Sequence, residues 1–98
     1  MQKFKRGSRV RVTDKMPSNM THFRCGFDAI VEYTPKQASL RDKSYGSDQS
    51  DSKYSLLRLD SNGEPTGGCS WYPEETLTLL SDDIRAGLDI IEQYYFPQ

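Results

Sequence analysis

The chain has 98 residues, 35% hydrophobic and 28% charged, with a formal net charge of -1 and a mean hydropathy of -0.77. A chain this short buries only about 60 to 65% of its unfolded surface, which leaves room for one modest core. The near-neutral charge argues against a dedicated non-specific nucleic-acid binder, and no apolar run approaches the roughly 20 residues of a membrane span. Six Tyr, four Phe and one Trp supply the large rings that disordered chains lack, so a small aromatic core is expected.

Arg6 to Thr13 (RGSRVRVT) alternates, with Val10 and Val12 on one face and Arg9 and Arg11 on the other, the period of a half-buried strand. Residues 14–26 (DKMPSNMTHFRCG) read as a long loop that folds Met16, Met20 and Phe23 back onto the domain. Phe27 to Thr34 is rich in β-branched and aromatic residues and stops at Pro35, which predicts a second strand. Residues 36–52 have no periodicity and many Ser, Asp and Gly, the composition of a mobile loop that a partner would order.

Lys53 to Asp60 predicts a third strand, and Asn62-Gly63 suits a tight hairpin turn into a fourth, TGGCSWYP. Gly67 and Gly68 mark a bulge or bend within it, and EETLTLL alternates as a fifth. Ser81, Asp82 and Asp83 signal a capped helix start. Ile84, Leu88, Ile91 and Tyr95 then form one apolar stripe, and Pro97 ends the segment. Gly87 weakens this helix by about 1 kcal/mol relative to Ala. The expected architecture is a single domain over residues 1–98, mostly β: a small barrel of about five antiparallel strands over 3–80, with a C-terminal α-helix over 81–96 packed on it.

Charge is unevenly spread. Lys3, Lys5, Arg6, Arg9, Arg11, Lys15 and Arg24 face only Asp14 in residues 1–24, whereas Asp82, Asp83, Asp89 and Glu92 face only Arg85 in residues 81–98. Cys25 and Cys69 form no CxxC pair, and no apolar segment follows the basic N-terminus as in a secretory signal. A cytoplasmic protein with two buried, reduced thiols is expected.

Four segments, KRGSRVRVT, CGFDAIVEYT, YSLLRLDSNGEP and SWYPEETLTLL, together resemble SH3-like barrels of the KOW and Tudor sort over residues 3–80. They are also similar to short uncharacterised proteins of bacteriophages and other mobile elements. The resemblance implies an accessory protein acting in the host-cell cytoplasm, for example a phage-encoded inhibitor of a host defence complex such as an anti-CRISPR. The chain lacks the spaced aromatic cage of a methyl-lysine reader, and its long loops and added helix depart from proline-peptide-binding SH3 domains, so neither activity is carried over.

No catalytic, cofactor or metal site is expected. His22 and Cys25 lack an orienting third group and an oxyanion site, and with Cys69 they lack the close spacing of zinc ligands. The acidic pair Asp82-Asp83 is explained by the helix dipole, as Glu74-Glu75 is by an ordinary structural role, and residues 67–69 lack a phosphate-loop arrangement. Two non-enzymatic functions are left. The first is a protein-interaction module contacting its partner through loop 36–52 and one charged face, with Asp82, Asp83, Asp89, Glu92, Tyr45 and Tyr94 as contact residues. The second is a nucleic-acid-binding barrel using Lys3, Lys5, Arg6, Arg9 and Arg11 for phosphates and Trp71 and Tyr72 for stacking. An uncovered edge strand also permits self-association.

Overall fold

The computed structural model describes residues 4–20, 23–33 and 53–97. Five strands form one antiparallel sheet: β1 (Arg9–Val12), β2 (Asp28–Tyr33), β3 (Lys53–Leu59), β4 (Pro65–Pro73) and β5 (Leu77–Ser81). Their order is β4-β3-β2-β1-β5, so the last strand returns to lie beside the first. One helix follows, α1 (Ile84–Tyr95), and 3-10 turns occupy Ser18–Met20 and Glu74–Thr76. The mostly β domain with a C-terminal helix is therefore as the patterning indicates, but the sheet is open. β4 and β5 are its two edges, and no ladder joins them among the described residues. The expected loop 36–52 and Tyr45 lie outside the described residues, as do Lys3 and His22.

Alternation along the strands gives the sheet two buried faces with different covers. On one, Val10, Val12, Ala29, Val31, Tyr54, Leu56, Tyr72 and Leu77 form the larger core, closed over by Phe4, Met16 and Phe27. On the other, Ile30, Leu57 and Leu59 meet Ile91 of α1, with Leu88 and Ile90 packed at the margin. A lone 12-residue helix is marginal in water, so α1 owes its stability to this apolar face.

Local chemistry fixes the connections. The turn after β3 is organised by Asp60, whose Oδ1 accepts from the Asn62 and Glu64 amides at 2.8 and 3.0 Å, and Gly63 takes the left-handed backbone the turn needs (φ 81°). Between β4 and β5, buried Thr76 donates its hydroxyl to the Pro73 carbonyl (2.7 Å) and closes a 3-10 turn where the sequence suggested continuous strand. The pairing of β3 with β4 shifts register twice, between Arg58 and Leu59 and between Tyr54 and Leu56. The first shift lies at the expected Gly67-Gly68 irregularity.

Three details differ from expectation. Ser81 ends β5 instead of capping the helix: the cap is Asp83, whose side chain accepts from the Ala86 amide at 3.3 Å, while Ser81 Oγ accepts from the Asp83 amide. Cys25 is exposed rather than buried, its Sγ donating to the Asp14 carbonyl at 3.4 Å. Gly87 is buried and sits against Gly7, whose amide donates to the Val31 carbonyl at 2.8 Å. No helix among the described residues is long and apolar enough to cross a membrane.

Candidate functional site

The basic strand is partly neutralised where it stands. Arg9 and Arg11 project from the β1 face opposite Val10 and Val12, and both reach Asp28 of the paired strand, at 3.4 and 3.2 Å. Arg11 also holds Asp14 at 3.0 Å; its hydrogen bond to Asp14, then that to Asp28, raises its pKa further above the ordinary arginine value. Arg6 is committed elsewhere, its Nε donating to the Glu32 carbonyl (2.8 Å) and its guanidinium lying over the Tyr33 ring. Lys5 is exposed.

The expected aromatic half of that surface is not beside it. Tyr72 is only 4% exposed, stacked on Phe23 (5.6 Å between centroids) and edge-on to Phe27, with its hydroxyl donating to the Arg24 carbonyl at 2.7 Å. It belongs to the larger core, on the face opposite Arg9 and Arg11, and is a structural ring rather than a stacking platform. The Trp71 side chain lies outside the described residues.

The acidic residues of the helix do not form one cluster. Asp82 and Asp83 sit at its start, where the Asp83 carboxylate is used as the cap. Asp89 and Glu92 lie further along; with a rise of about 1.5 Å per residue, Glu92 stands roughly 14 Å from Asp83. These two carboxylates share a shallow concavity with Gln93, Phe96 and Pro97. Phe96 is 73% exposed and Tyr94 38%, and the Tyr94 and Tyr95 rings meet edge to face at 5.0 Å.

Two features escaped the sequence reading. Beneath α1, the buried carboxylate of Glu32 accepts hydrogen bonds from Ser55 Oγ (2.9 Å) and from the Tyr95 hydroxyl. Burial first, then its bond to Glu32, holds the Tyr95 hydroxyl well above its ordinary pKa. An acidic residue set between Val31 and Tyr33, after the apolar run Ala29 to Val31, was the available signal. The second is Arg58 on β3, whose guanidinium carbon lies 5.3 Å from the Phe27 ring centre and whose Nε is buried without an acceptor. Nothing in KYSLLRLD separates it from an ordinary outward-facing arginine.

Of the groups considered for chemistry, Glu74 accepts from the Tyr54 hydroxyl at 2.9 Å, and Glu75 is exposed. Among the described residues no three His, Cys, Asp or Glu side chains converge as a metal-binding group. No protein-family model, curated protein or solved structure matches the chain.

Proposed function

We propose that the chain is a non-catalytic protein-interaction module that engages its partner with the C-terminal half of α1. The carrying observation is Phe96, a large apolar ring left 73% exposed beside the carboxylates of Asp89 and Glu92. Aromatic side chains dominate binding energy when a partner desolvates them, and flanking carboxylates select a basic surface and speed encounter with it. A basic groove on a nucleic-acid-handling host complex, the setting the phage-protein resemblance implies, has that chemistry. Five antiparallel strands with a doubly bulged β4 support the SH3-like barrel reading of the scaffold.

The alternative, nucleic-acid binding through β1, has support in the accessibility of Arg9 and Arg11 but is weakened by Asp28, which faces both. Capture of partners by the immobilised chain tests the two readings. Phe96→Ala and the double change Asp89→Lys with Glu92→Lys abolish capture on the first reading, whereas Arg9→Glu with Arg11→Glu leaves it intact. The opposite pattern overturns it.

A further inference from the structure

Unlike those of Arg6, Arg9 and Arg11, the guanidiniums of Arg24 and Arg58 donate to no acceptor among the described residues. Both line one open cleft at the β3–β4 edge with Thr66, Gly67 and Gly68. Among the described residues no carboxylate lines this cleft, and Glu32, whose Oε2 would stand 3.4 Å from a Cβ at Gly68, is bonded to Ser55 and Tyr95. The neighbouring cleft shares Arg58 with Arg9 and Arg11, but Asp28 and Asp60 also line it.

Arg58 is held in place without being neutralised. Its guanidinium lies against the Phe27 ring, and its backbone carbonyl accepts from Thr66 Oγ1 at 3.3 Å. A buried N–H with no acceptor is unfavourable, and the cost falls when an anionic oxygen arrives. The second cation comes from the exposed Arg24, whose segment is pinned through its carbonyl by Tyr72. A Cβ at Gly68 would also stand 3.5 Å from the Tyr95 hydroxyl, and one at Gly67 would stand 3.9 Å from the Tyr94 hydroxyl, so the missing side chains make room for the end of α1 while the cleft is shaped by Arg24, Arg58 and Thr66.

We propose that this cleft binds a phosphate-bearing ligand between Arg24 and Arg58. Guanidinium groups match phosphate oxygens in planar, charge-assisted pairs. Two unneutralised guanidiniums flanking one cleft suit a doubly charged group better than a single carboxylate.

The test is titration of the full chain with inorganic pyrophosphate, followed by NMR at the Arg side-chain Nε–H and the backbone amides. Saturable shifts are expected at Arg58 Nε, Gly67 and Gly68, with acetate giving none. Arg58→Gln and Arg24→Gln should each weaken the affinity about tenfold, while Arg9→Gln and Arg11→Gln leave it unchanged. Arg24 is exposed, so Arg24→Gln decides the matter even if Arg58→Gln perturbs folding. Uniform shifts across all surface cations, or an unchanged affinity in Arg24→Gln, overturn the proposal. Given a saturable site, competition by a short oligothymidylate assigns the phosphates to a nucleic-acid backbone, and failure to compete assigns them to a free phosphate compound.

Discussion

Gly7 and Gly87 cross with no side chain between them: a Cβ on Gly87 would overlap the Gly7 carbonyl group, and one on Gly7 would stand 2.6 Å from the Ile84 carbonyl oxygen. The helix is thus held against the segment that enters β1, near where Gly7 pairs with Val31. Two effects compete in Gly87→Ala. The isolated helix gains about 1 kcal/mol, but the new methyl meets backbone that cannot rotate away, an overpacking cost of about 1–3 kcal/mol. The variant is expected to be net destabilised, and each lost kcal/mol lowers the midpoint by about 4–8 °C in a domain this size. A thermal melt followed by circular dichroism checks this, and a higher midpoint in the variant contradicts the close crossing.

That contact also shows where sequence reading stops. β1 to β3 and the helix stripe were legible because Val10, Val12, Ile30, Leu57 and Ile91 keep the periods of their elements and because Pro35, Gly63 and Pro97 punctuate them. What was not legible depends on pairing across the chain. Gly87 reads as a defect until Gly7 is known to lie against it, and Tyr72 reads as an exposed ring until Phe23 is seen stacked on it. Glu32 looks like a solvated charge until α1 covers it. Sequence proximity likewise does not show that Asp83 is used as the helix cap while Asp89 and Glu92 lie further along α1.

Tyr95 fastens the end of α1 to Glu32, and this makes stability depend on alkaline pH. The folded state holds the Tyr95 hydroxyl neutral above its ordinary pKa of 10.0, chiefly by burial. The stabilisation is therefore fully present below about pH 10 and is lost progressively as the pH rises above it, because the unfolded tyrosine ionises first. Tyr95→Phe is expected to cost roughly 1–2 kcal/mol at neutral pH, since the Glu32 carboxylate loses one of its two side-chain donors among the described residues. It should also flatten the dependence of urea midpoints above pH 10; a slope equal to that of the wild type counts against the Tyr95–Glu32 bond.

Tyr72 separates a core role from a binding role. Tyr72→Ala removes a ring packed against Phe23 and Phe27 and is expected to cost about 3–5 kcal/mol, as for other large-to-small core changes. Tyr72→Phe keeps the ring and loses only the hydrogen bond to the Arg24 carbonyl, worth about 1 kcal/mol. Chemical denaturation measures both, and because the Tyr72 hydroxyl pins the Arg24 segment, the conservative variant is also expected to weaken pyrophosphate binding. A Phe variant as unstable as the Ala variant contradicts the packing described.

Asp28 decides what the basic strand can do. Its carboxylate faces both Arg9 and Arg11, so replacing it with the isosteric Asn removes the ion pair of Arg9 and leaves Arg11 paired with Asp14. These pairs are partly exposed and screened, so Asp28→Asn is expected to change stability by less than about 1 kcal/mol. Its effect on anion binding is larger in kind: the β1 face gains one unit of uncompensated positive charge, and phosphate contacts follow such charge with a steep dependence on salt. Duplex DNA titrated at low ionic strength in an Arg24→Gln background, which removes the proposed cleft from the measurement, should bind Asp28→Asn more tightly than its Asp28 counterpart. The gain should fade as salt is raised. If both proteins bind DNA equally well, the charge added to the β1 face is not felt by the DNA, and nucleic-acid binding through Arg9 and Arg11 loses its support.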